Sequence, residues 1–135
     1  MDGIYFPSSE LSDGTIHLLL LLLLLNVPEE YGISMLAIDE PEMKLHPAWQ
    51  KLLANEIISG QSFKQGFIST HSQDFLDEFT RNFLFLSDDV DVFIFDMFSR
   101  IPIRKLNIEE IRPELNEWTL GDLYRIGDPL IRGWP

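Results

Sequence analysis

Apolar positions fall into short blocks separated by polar turns, and the blocks differ in period. The first is eight consecutive leucines, Leu18 to Leu25. It is preceded by Leu11-Ser12-Asp13-Gly14-Thr15 and stopped by Asn26, Pro28 and Gly32. A run apolar on every side predicts a buried helix. Ser12 or Asp13 stands where a cap for its first amides belongs, and the same helix start suits an anion. The next block, Met35-Leu36-Ala37-Ile38, is a short unbroken apolar run, which predicts a strand buried on both faces of a parallel sheet. That strand ends in Asp39-Glu40, and Pro41 stops its ladder.

Further along, Ala48 to Ser59 has Trp49, Leu52, Leu53, Glu56 and Ile57 at helical spacing and ends at Gly60, so it predicts an amphipathic helix. Gly66 to Ser69 predicts a second strand running into Thr70-His71-Ser72. Gln73 to Phe79 reads as a short helix with Phe75, Leu76 and Phe79 inward, and Phe83 to Leu86 as a third core strand. Val90 to Met97 and Ile101 to Leu106 alternate as a hairpin around Phe98-Ser99-Arg100. The tail is helical near Ile108 to Glu117, broken at Pro113, and closes with Trp118 to Gly127. Residues 1 to 10 read as irregular. With no internal repeat or low-complexity linker, one domain or part of one is expected.

Charge narrows the function. Ten basic residues against 22 acidic give a net charge of −12, which opposes binding to phosphate backbones. Arg100, Arg104 and Lys105 come closest to a cationic cluster and read as solvated charges. Cysteine is absent, so disulfides and thiolate metal sites are excluded, as suits a reducing cytoplasm. The leucine block, even extended to Ile16 and Val27, is too short to span a bilayer. Asp2, Glu10 and Asp13 precede it without Lys or Arg, unlike a secretory signal. No membrane association is expected.

The candidate chemistry sits where strands end. In open α/β sheets ligands gather at the carboxyl ends of the strands, and both Asp39-Glu40 and His71 belong there. In P-loop nucleotide hydrolases the first such carboxylate helps hold Mg²⁺, while the second orients or deprotonates the attacking water. On the residues alone, ordinary readings stand beside these: a polar strand end, a plain N-cap at Ser12, a structural histidine at His71. A small metal hydrolase using Asp39, Glu40, Glu42, His46 and His71 is a further alternative, since carboxylate and imidazole both bind divalent metals.

Three stretches together go further. LSDGT at 11 to 15, IDEPEMKLHP at 38 to 47 and STHS at 69 to 72, in that order, resemble the second half of an ABC-type ATPase head. The likeness is closest to the stand-alone AAA-family ATPases related to RecF and to the overcoming-lysogenization-defect (OLD) proteins. In that resemblance LSDGT matches the signature loop, IDE the Walker B strand, LHP the D-loop position and His71 the switch histidine. Ser12 to Asp39 is 27 residues and Asp39 to His71 is 32, both long enough for a helical crossover between neighbouring strands. The tail EWTLGDLYRIGD also resembles the closing segment of this group.

The resemblance implies an α/β fold, a partial P-loop NTPase sheet with flanking helices. Residues 1–135 would form a single carboxyl-terminal part of an ATPase core. It implies ATP and Mg²⁺ as cofactors, Asp39 at the metal, Glu40 and His71 as catalytic residues, and Ser12 and Gly14 binding the nucleotide of an opposing subunit. Asp13, Thr15 and His46 depart from the transporter pattern and are usual in the RecF- and OLD-like branch. No GxxxxGK followed by Ser or Thr occurs, so the phosphate-cradling loop is missing. The expected partner is therefore an amino-terminal P-loop half or a homodimeric ATPase partner. Relatives of this type serve DNA repair, phage defence and nuclease control, which implies a DNA or nuclease partner through the full-length protein. The alternative is a non-hydrolysing interaction or regulatory module derived from such an ATPase.

Overall fold

The structure is a computed structural model that describes residues 11–31, 33–60, 63–85, 90–96 and 100–131. The chain divides into two units, Met1–His71 and Ser72–Pro135.

The first unit runs α1 (Asp13–Leu25), a 3-10 turn at Glu29–Tyr31, β1 (Met35–Asp39), α2 (Pro47–Ser59) and β2 (Gln65–Ser69). β1 and β2 pair in parallel with Leu36 opposite Gly66, Ala37 opposite Phe67 and Asp39 opposite Ser69, and α2 is the crossover between them. This is the adjacent parallel pair the sequence predicts. α2 begins at Pro47 because proline at a first helical position sacrifices no bonded amide.

Burial in this unit departs from expectation. Leu18, Leu21 and Leu25 are buried along one stripe of α1, whereas Leu23 on another face is 69% exposed. A uniform leucine run therefore buries only the side against which the chain packs, and α2 is a helix that packs on it. β1 is likewise not covered on both faces: Leu36 is buried, but Met35 is 62% exposed and Phe67, on the same face of β2, is 51% exposed. In α2, Leu53, Ala54 and Ile57 are inward, while Trp49 and Leu52 face solvent.

The second unit contains α3 (Gln73–Phe85), β3 (Phe93–Phe95), β4 (Ile103–Lys105), α4 (Ile108–Ile111), a 3-10 turn at Glu114–Asn116 and α5 (Leu120–Ile126). The core strand expected at Phe83 to Leu86 is overturned through Phe85, because those residues extend α3; Leu86 lies outside the described residues. Phe75, Phe79 and Phe83 recur every four residues, so the aromatic run continues a helical stripe, with Phe75 and Phe83 buried. β3 and β4 form the expected antiparallel hairpin, shorter than predicted and prolonged by Leu106 N–H to Val92 O at 2.8 Å and Asp96 N–H to Pro102 O at 2.8 Å. Residues 97–99 of its turn lie outside the described residues. The break at Pro113 is present, separating α4 from the 3-10 turn. Phe83, Ile94, Leu106, Ile111, Leu120 and Leu123 form the heart of this unit's core.

The start of α5 is fixed by side chains rather than by its length. Thr119 and Asp122 form a reciprocal capping box, Gly121 N–H donates to Asp77 Oδ1 at 3.1 Å, and Leu120 N–H donates to Thr80 Oγ1 at 2.9 Å. α3 thus satisfies amides that a helix start otherwise leaves unpaired. The cationic residues of the hairpin are similarly occupied: Lys105 pairs with Asp91 at 2.6 Å and Arg104 donates to the Pro129 carbonyl at 3.1 Å.

Candidate functional site at the strand tips

β1 and β2 end side by side, so the polar residues that follow them meet. Glu40 N–H donates to Ser69 O at 3.0 Å, extending the ladder one step past β1. Ser69 Oγ donates to Asp39 Oδ1, which turns the first carboxylate toward the second strand. Glu40 then leaves the strand direction with φ at 44°, a left-handed conformation that a glutamate adopts only at an energetic cost. The result brings His71 Nε2 to 3.7 Å from Glu40 Oε1, with both side chains open to solvent. The two residues proposed from sequence as catalytic are therefore neighbours, and Asp39 is one residue away on the same tip.

Behind them lies a buried acid. Glu42 Oε1 accepts from Thr70 Oγ1 and, at 3.2 Å, from His71 N–H. Glu42 is 7% exposed, and sequence reasoning gave it a place only in the alternative metal-hydrolase set. In the sequence it is marked only as an acid two residues past Glu40.

The residues around the start of α1 do not join this tip directly. Ser12 is the N-cap, its Oγ accepting from Thr15 N–H at 3.2 Å and bonding Thr15 Oγ1 at 2.8 Å. Gly14 packs against the turn after β1: a Cβ there would stand 2.4 Å from the Lys44 carbonyl oxygen. The same turn takes a hydrogen bond between His17 Nε2 and Pro41 O at 3.0 Å and an ion pair between Lys44 and Asp13 at 3.1 Å. His46 caps α2 by accepting from Ala48 N–H through Nδ1 at 3.2 Å. Its position before Pro47 thus has a local structural reason.

The donor set suits a hydrated hard cation. Among the described residues no three His, Asp or Glu side chains are grouped to cage a metal. Mg²⁺ in nucleotide sites needs no such cage; it takes one or two carboxylates, water and substrate phosphates, and Asp39 with Glu40 supplies oxygen donors of that kind. No helix among the described residues is long and apolar enough to cross a membrane.

A parallel βαβ unit with paired acids and a histidine at its strand tips is an ATPase-like arrangement. Residues 2–77 match the family described as "AAA domain, putative AbiEii toxin, Type IV TA system", and the chain belongs to that AAA domain family. The match spans α1, both tips and the first residues of α3, and leaves the tail beyond it. No curated protein and no solved structure is detectably similar to the chain.

Proposed function

We propose that the chain supplies the hydrolytic tip of an ABC-type ATPase of the RecF- and OLD-like kind, whose P-loop lies outside these 135 residues. The observation that carries this reading is the placement of Asp39, Glu40 and His71 on adjacent strand ends, with His71 Nε2 3.7 Å from Glu40 Oε1. Glu40 orients and deprotonates the attacking water, and His71 contacts the γ-phosphate. Asp39, held by Ser69, is the carboxylate for Mg²⁺, which when bound neutralises phosphate charge. Ser12 and Gly14 lie at a helix start that can face the nucleotide of an opposing subunit. The partner is a polypeptide segment carrying the P-loop, supplied by an amino-terminal half or by a second ATPase subunit, in the cytoplasm.

The exposed sheet face at Met35 and Phe67 supports completion by further chain, since parallel sheets are normally covered on both sides. The same exposure favours the second reading, a non-hydrolysing module that binds a partner through this face. Reconstitution with a P-loop polypeptide separates the two. ATP hydrolysis that disappears in Glu40→Gln supports the ATPase, whereas a stable complex without hydrolysis supports the module.

A further inference from the structure

Glu42 is a carboxylate almost entirely withdrawn from water, and a carboxylate so placed is stable only when donors satisfy it. Its Oε1 accepts from the hydroxyl of Thr70 and the backbone N–H of His71, whereas its Oε2 is buried with no hydrogen bond among the described residues, so Oε1 is the oxygen through which Glu42 holds the neighbouring strand end. Both donors belong to the segment that leaves β2, whereas Glu42 belongs to the turn that leaves β1. We propose that Glu42 is a positioning residue: it fixes the backbone of His71, and through the turn Pro41–Lys44 it ties that histidine to the start of α1.

The second half of this link is steric. Gly14 meets the Lys44 carbonyl so closely that any side chain at 14 must push the turn away. Lys44 itself holds a left-handed conformation, φ 65°, and pairs with Asp13, while Pro41 O is bonded by His17. A movement of the α1 start is therefore passed to the turn, and from Glu42 to His71, without any contact between Gly14 and His71 being required. The catalytic consequence rests on the proposed role of His71; the positioning itself does not.

The chain has three histidines, so selective ¹⁵N-histidine labelling gives three backbone amide signals. In the full chain, Glu42→Ala should speed hydrogen exchange of the His71 amide by about tenfold or more, while the His46 signal keeps its native position. Glu42→Gln, which retains the acceptor oxygen, should return the rate to within about threefold of wild type. Gly14→Ala should shift the His71 signal, and should no longer do so once Glu42 is alanine. If Glu42→Ala does not fold, Thr70→Val decides, because losing the hydroxyl loosens the same carboxylate and should still speed His71 exchange. An unchanged His71 amide in a folded Glu42→Ala, or in Thr70→Val where that is the deciding variant, overturns the proposal. With a P-loop polypeptide added, Glu42→Ala should lower kcat at a nearly constant KM for ATP, and Glu42→Gln should restore it. Absence of any ATPase there would count against the ATPase reading, while the amide exchange still judges Glu42.

Discussion

His71 Nε2 lies 3.7 Å from Glu40 Oε1, although one residue follows β2 and the other follows β1. Parallel pairing delivers the residues that follow both strands to one edge, and the left-handed turn at Glu40 completes the approach. In the proposed function Glu40 is a general base, a role that contributes roughly 10²- to 10⁴-fold in rate. Glu40→Gln should therefore lower ATP turnover of the reconstituted ATPase by that order while leaving nucleotide binding intact. Its half-open position predicts an unchanged thermal midpoint, checked by circular dichroism.

Gly121→Ala should destabilise the second unit by about 1 to 3 kcal/mol, the usual penalty for forcing atoms into a packed site. The added Cβ would stand 2.2 Å from Asp77 Oδ1 and 2.3 Å from Gln73 O. Asp77→Ala removes only the first clash, so the double variant should not recover wild-type stability in urea unfolding.

Hydrogen bonds from Thr119, side chain foremost and backbone next, hold the Asp122 carboxyl below its ordinary value of 3.8, with Arg125 adding to the effect. A carboxyl lowered in the folded state stabilises above its unfolded pKa, and that contribution is lost as pH falls through the folded value. The second unit should therefore lose stability progressively below about 3.8. Asp122→Asn should flatten that part of the profile in pH-dependent melting.

The two faces of α1 should respond differently to substitution. Leu21→Ala removes a buried side chain and should cost about 2 to 5 kcal/mol, as large-to-small core changes do. Leu23→Gln on the exposed face should leave stability within about 0.5 kcal/mol and reduce self-association, measured by light scattering.

The strand tips were legible in the sequence because an apolar run ending in acids, and another ending at a histidine, specify both the element and the end where chemistry sits. Coverage was not legible. Eight leucines do not say which of them meets α2, and Met35 carries no mark of being exposed. In isolation the aromatic stretch at Phe83 to Phe85 reads as strand, because a short apolar run has no distinctive period until it is joined to Phe75 and Phe79. Nothing in the sequence marks Glu42 as a buried clamp, because its partners are distant in sequence and one of them is a backbone N–H. The capping roles of Ser12 and His46 follow from local geometry; the sequence offers Ser12 as one of two caps for α1 and carries no mark of the cap at His46.

In the proposed function, hydrolysis needs a P-loop from outside this chain. Titration calorimetry of the 135-residue chain with Mg²⁺ and ATP decides whether this holds. Without the amides and lysine of that loop, and with Asp39, Glu40 and Asp13 repelling phosphate, the chain alone should show no measurable heat of binding at micromolar ATP. The same titration on a complex with a P-loop polypeptide should show saturable binding. Micromolar affinity in the chain by itself would contradict the claim.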